Sequence, residues 1–116
     1  MTTISTEKTV VTFINIYTVA HEKQQELVDL LVRAASPMSK VPGFISANIH
    51  RSLDGTKVAN YVQWQSIEDL HKMQKDPTTQ PHIEEEAALA KFDPGTYSVV
   101  SIHVAPMEDT APAGAV

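Results

Sequence analysis

The feature that most narrows the possible folds is an Asp54-Gly55 step between two strand-like runs, residues 44–53 and 56–65. Both runs are rich in β-branched and aromatic residues, and Asp-Gly supplies the positive φ that a tight type I′ hairpin turn requires. A two-residue loop sets Leu53 opposite Thr56. The pairing then runs Arg51 with Val58, Ile49 with Asn60, Ala47 with Val62 and Ile45 with Trp64. Side chains alternate along a strand, so all of these share one side of the hairpin. That side is largely apolar and is expected to lie under helices. The other side carries Ser46, Asn48, His50, Ala59, Tyr61 and Gln63, with Phe44 at one end. It is too polar for a monomer core and too aromatic for a plain wet surface, so a sheet-to-sheet homodimer is expected there.

The rest of the chain supplies partners for the hairpin. Residues 10–19, VVTFINIYTV, read as a strand apolar on both faces. Residues 22–36 place Leu27, Leu30, Leu31, Ala34 and Ala35 at helical spacing, and Val41-Pro42-Gly43 ends that helix. Ser66 and Asp69 form a variant capping box for a helix over 67–75, with Ile67, Leu70 and Met73 on one side. Asp76-Pro77 stops it. A short helix is expected over 81–91, with Glu84, Glu85 and Glu86 as a solvated, dipole-favoured start. Asp93-Pro94-Gly95 reads as a turn and residues 97–104, YSVVSIHV, as the last strand. The order β-α-β-β-α-(α)-β is that of the ferredoxin-like α+β class, a split β-α-β with an antiparallel sheet. The domain is placed at 9–104. Residues 1–8 and 105–116 are expected as flexible termini, the latter alternatively as an arm on a partner.

Composition removes several function classes. With no cysteine the chain has no disulfide, thiolate metal site or cysteine nucleophile. A formal charge of −5 argues against nucleic acid or an anionic membrane as partner. No stretch approaches the roughly 20 apolar residues of a membrane helix, and the start has no signal-peptide pattern, so the expected home is the cytoplasm. Four glycines leave no room for a phosphate-binding loop, and no G-x-S-x-G nucleophile motif occurs.

The residues that stand out are Asn60 and Trp64, four apart in one strand and therefore on the same helix-covered face. An amide in an apolar layer costs on the order of 1–3 kcal/mol unless it is hydrogen-bonded, and the indole N–H also seeks a partner. Either Asn60 bonds a nearby backbone while Trp64 fills the core, or both line a small ligand pocket. His71 and His82 are candidate bases if they face that cleft, and solvated residues if they do not. His50 and His103 fall on the face assigned to the partner, and His21 sits at a helix start. No two histidines have a close metal-ligand spacing, so a metal site is not expected.

Val41-Pro42-Gly43-Phe44, His50-Arg51-Ser52, Asp54-Gly55-Thr56 and Asn60-Tyr61-Val62-Gln63-Trp64 resemble the antibiotic-biosynthesis monooxygenase family. Within that family the run is most similar to the quinone-forming enzymes of aromatic polyketide pathways. The resemblance implies a dimeric α+β barrel with a cleft in each subunit. It also implies oxidation of an anthrone-like or quinol-like aromatic substrate to a quinone by O2, with no flavin, haem or metal cofactor. By the same match Asn60 and Trp64 contact the substrate and its developing oxyanion, in a pocket expected to include Asn15, Ile49, Val62, Leu70 and Met73. Leu70 and Ile83 stand near the positions where the quinone-forming enzymes carry a Tyr and an Arg proposed for proton handling. Two other readings of the same barrel are a non-catalytic ligand-binding or stress-related dimer and a haem-degrading monooxygenase. The haem reading would use Asn15 and His82, but Met73 replaces its helix Trp.

Overall fold

The computed structural model describes residues 3–6, 9–79 and 82–106. Four strands, β1 (Val11–Val19), β2 (Phe44–Arg51), β3 (Lys57–Trp64) and β4 (Ala90–Tyr97), form one antiparallel sheet in the order β2-β3-β1-β4. Three helices, α1 (Gln24–Met38), α2 (Ile67–Lys75) and α3 (Ile83–Leu89), complete the ferredoxin-like α+β fold. The order places β3 between the two strands of the β1-α1-β2 unit, as the split β-α-β arrangement requires.

The hairpin holds the expected register at its centre and departs from it at both ends. Arg51↔Val58, Ile49↔Asn60 and Ala47↔Val62 pair as expected, but an irregularity between Phe44 and Ser46 sets Phe44, not Ile45, opposite Trp64. The extra residue of a bulge reverses the facing of what lies beyond it. Phe44, expected on the partner face, is thereby brought edge-on to the Trp64 ring, with centroids 5.6 Å apart at 88°. The turn is also longer than two residues. Ser52 and Lys57 close it, Gly55 N–H donates to the Ser52 carbonyl, and Gly55 alone of the turn's residues is a positive-φ glycine, at 81°. Gly55 thus supplies a left-handed residue inside a four-residue loop. Any Cβ at Gly55 would also collide with the His21 ring.

The last strand is a correction. It spans Ala90–Tyr97, pairing Val19 with Ala90 and Thr12 with Tyr97, whereas residues 98–106 form no strand. Asp93-Pro94-Gly95 therefore lies inside a strand rather than in a turn. Proline lacks the N–H of a ladder bond, but β4 is an edge strand, where that loss is tolerated. Residues 3–6 also do more than trail: the Thr3 carbonyl accepts a 2.8 Å hydrogen bond from Gln63 Nε2, leaving Gln63 buried on the outer side of the sheet.

The helices pack through the apolar stripes read from the sequence. Leu27, Leu30 and Leu31 of α1 are buried, as is Leu70 of α2. Ser66 Oγ accepts from the Asp69 backbone N–H at 3.1 Å and donates to its carboxylate at 2.9 Å, which caps α2. Gly43, at φ 88°, lies so close to Asp69 that no side chain would fit between them. The buried core falls into two clusters. Tyr17, Val19, Leu27, Leu31 and Val58 form one; Val62, Trp64 and Leu70 form the other.

Candidate active site

A cavity of about 250 Å³ opens between these two clusters and takes lining from both. Its floor is the inner face of the sheet. Cross-strand registers set that floor in rows: Ala47–Val62–Phe13, then Asn60–Asn15–Pro94, then Tyr17–Phe92. Its walls are the α1 residues Leu31, Ala34, Ala35 and Met38, with Met73 and Gln74 from α2 and His82, Ile83 and Glu86 from the α3 segment. Trp64 lies at the end of the floor occupied by Phe44. Two of the α1 wall residues, Ala34 and Ala35, are small and leave space that larger side chains would close.

The middle row is polar where a core would be apolar. Asn15 and Asn60 stand directly opposite each other on β1 and β3. Directly opposed side chains have Cβ atoms about 4.5–5.5 Å apart. Asn15 Oδ1, Asn60 Oδ1 and Trp64 Nε1 are buried without a hydrogen-bond partner. Each such group costs roughly 1–3 kcal/mol unless a bound molecule or water satisfies it. An asparagine amide carries both a carbonyl acceptor and an NH2 donor, and in both residues it is the carbonyl oxygen that stands unpaired.

A second polar feature adjoins that row. Tyr17, two residues along β1 from Asn15 and only 2% exposed, donates its hydroxyl to Glu86 Oε1 at 2.8 Å. Burial is the main cause of a strong upward push on the Tyr17 hydroxyl's pKa. The Glu86 charge and hydrogen bond add to it, and a hydrogen bond from Asn15 opposes it. Burial also raises the Glu86 carboxyl, against the Tyr17 hydrogen bond and the His82 charge, which lower it. His82 Nδ1 lies 3.4 Å from the exposed Glu85 carboxylate.

Asn15, Asn60, Val62, Trp64, Met73 and His82 are thus brought to one cavity. Three other candidates are not. Ile49 packs on the Tyr17 cluster and Leu70 is buried in the Trp64 cluster, neither reaching the lining. His71 is exposed on α2, away from the cavity, because its helical position is adjacent to Leu70 and turns outward. Tyr17 carries no motif of its own, and Glu86, expected in a solvated helix start with Glu84 and Glu85, is instead half-buried at the cavity and bonded to Tyr17. Parity with Asn15 marks Tyr17, and the i, i+3 spacing from Ile83 marks Glu86 as the inward member of the Glu84-Glu85-Glu86 run. Among the described residues no group of three or more His, Asp or Glu is placed to hold a metal ion.

Residues 10–85 match the profile of the family described as antibiotic biosynthesis monooxygenase. The tetracenomycin-F1 monooxygenase of Streptomyces glaucescens is 45% identical over 85 residues, which is 72% of this chain and 76% of that protein. Two solved structures superpose with a TM-score of 0.74. A monooxygenase from the gene ActVA-Orf6 of Streptomyces coelicolor, in complex with the ligand nanaomycin D, is 25% identical and covers 84% of this chain and 94% of its own. SnoaB, a cofactor-independent oxygenase from Streptomyces nogalater, is 24% identical and covers 81% of this chain and 96% of its own. A family profile spanning most of the chain, joined to that level of identity with a curated enzyme, establishes that the chain belongs to the antibiotic biosynthesis monooxygenase family.

Proposed function

We propose that the chain is a cofactor-independent monooxygenase that oxidises an anthrone-like or quinol-like aromatic polyketide to a quinone with O2, acting as a homodimer. The observation that carries the reading is the unpaired polar set of Asn15, Asn60 and Trp64 in an otherwise apolar cavity. An activated aromatic substrate brings its own reducing power: the carbanion beside an aromatic ketone passes electrons to O2 directly. The protein then has to hold a flat apolar molecule, exclude water and stabilise negative charge on the carbonyl oxygen. Donors fixed in a dry cleft do this without reorganising during the reaction. Asn60 and Trp64 offer such donors, and about 13 Å separates their Cα atoms along β3, so a ligand touching both lies along the strand.

The balance of the reaction is simple. A ring CH2 and O2 give a carbonyl and water, one oxygen atom entering the quinone and the other leaving with both hydrogens. The test is quinone formation from a hydroxyanthrone by the purified chain, with and without O2, in the presence of a chelator. The expected result is O2-dependent, chelator-insensitive turnover that falls by about 100-fold in Asn60→Ala and also falls in Trp64→Phe. A rate no greater than spontaneous autoxidation across several hydroxyanthrones and hydroquinones would sink the reading.

A further inference from the structure

Among the described residues lining the cavity, Glu86 is the one carboxylate, and no Lys or Arg accompanies it. We propose that Glu86 is the base that takes the substrate's proton and that Tyr17 is the residue that positions it, an inference that rests on the monooxygenase reading above.

The geometry separates Glu86 from its neighbours. Glu84 and Glu85 are exposed on α3, while Glu86 is half-buried and turned inward. Its Oε1 is fixed by the Tyr17 hydroxyl at 2.8 Å, and Tyr17 is anchored in the sheet by its ring, 5.8 Å from that of Phe92. A carboxylate accepts through two oxygens, so the bond from Tyr17 leaves acceptor capacity for a substrate. The groups facing Glu86 are few. β1 contributes Tyr17; its own helical segment contributes His82 and Glu85. The cavity residues of α1 (Leu31, Ala34, Ala35, Met38) and of β4 (Phe92, Pro94) carry no charge. In such surroundings burial raises the proton affinity of the carboxylate toward the range a general base needs. Tyr17 is not the base, because burial and the adjacent carboxylate hold its own proton firmly. His82 is the other titratable neighbour, but its ring nitrogen meets the exposed Glu85 carboxylate at 3.4 Å.

The step is a proton transfer. The acidic C–H bond beside the substrate carbonyl breaks, its proton goes to the Glu86 carboxylate, and its electron pair remains on the ring as an enolate. O2 accepts those electrons and forms the new C–O bond as a peroxide, to which Glu86 returns the proton. Loss of the second C–H proton with cleavage of the O–O bond leaves the carbonyl and water. Asn60 and Trp64 then stabilise charge from β3, while Glu86 moves the proton from the α3 side.

The experiment compares wild type, Glu86→Gln, Glu86→Asp and Tyr17→Phe on 1,8-dihydroxyanthrone, with the kcat–pH profile recorded for each. Glu86→Gln is expected to lose about 100-fold or more in kcat and the acid limb of the profile, with KM and hydroxyanthraquinone binding changed less than about threefold. Glu86→Asp should recover part of the rate and restore the acid limb. A thermal scan gives an independent readout. The Glu86 pKa is raised on folding, so its contribution to stability is complete below the unfolded value and is lost as pH rises through the folded one. Glu86→Gln should therefore melt above wild type at neutral pH, and the gap should close on acidification. An active wild type whose Glu86→Gln variant keeps its kcat or its acid limb overturns the base, as does a change confined to KM. A wild type no faster than autoxidation is a different failure, which removes the monooxygenase reading and the base with it.

Discussion

Asn15 and Asn60 face each other across the centre of the sheet, where Ile49 continues their row and Phe13 and Val62 form the next one. Two amides with unpaired carbonyl oxygens at that depth make folding less favourable, and an apolar residue of similar shape removes the penalty. Asn60→Leu is accordingly expected to raise the melting temperature by a few degrees, corresponding to about 1 kcal/mol, while abolishing turnover. Calorimetry beside the anthrone assay checks both halves. A lower melting temperature would mean that Asn60 serves the fold rather than the substrate. Tyr17 gives a prediction of opposite character. Its hydroxyl lowers the Glu86 pKa, so removing it in Tyr17→Phe raises that pKa further. The acid limb of the kcat–pH profile should move to higher pH, with KM little altered. A limb that stays in place would detach Tyr17 from the proton-handling group.

At the scale of elements, the β2–β3 turn is held by the Ser52 hydroxyl, which accepts from the Thr56 and Lys57 backbone N–H groups, and by Asp54. Asp54 Oδ1 accepts from Ser52 Oγ at 2.7 Å, from Thr56 N–H at 3.0 Å and from Thr56 Oγ1 at 2.7 Å. These bonds, the one from Ser52 foremost, pull its carboxyl down to about 2. A depressed carboxylate contributes stability above its unfolded pKa of about 3.9 and loses it as pH falls through the folded value. Asp54→Ala should thus melt a few degrees below wild type at pH 7, the difference shrinking as the pH approaches 2. A gap independent of pH would refute the electrostatic account of the turn. The same hairpin shows where sequence reasoning reaches its limit. Alternation located Asn60 and Trp64 on one face and fixed three cross-strand pairs, because period-two patterning is local. Neither the bulge that turns Phe44 inward nor the longer turn at Gly55 leaves a pattern in composition. Pro94 misled in a similar way: Asp-Pro-Gly is turn chemistry, and only the edge position of β4 lets it lie in a strand. Glu86 was hidden because two exposed glutamates precede it, and its inward facing follows from a helix phase set by α3 packing on β4 and α1.

Among the described residues, the helices shelter one side of the sheet and leave the other without them. That outer face carries Ile14, Ile16, Ala59 and Tyr61 in paired rows, all partly exposed. Beyond β4, Val100, Ile102 and Val104 are 89%, 46% and 84% exposed. An isolated chain would hold both surfaces in water, whereas a two-fold dimer buries each against its own copy, since an isologous interface needs only one self-complementary patch. The proposed homodimer makes a specific expectation of both. The chain should sediment as a dimer at micromolar concentration, and a double substitution, Val100→Asp with Ile102→Asp, should shift it to monomer while leaving the α1 and α2 packing intact. An additional charge on the outer face at Ile16→Glu should have the same effect, because a charge buried between two sheets lacks a partner. If the wild-type chain sediments as a monomer, the dimer fails. If it is a dimer that both variants leave unchanged, its interface lies elsewhere.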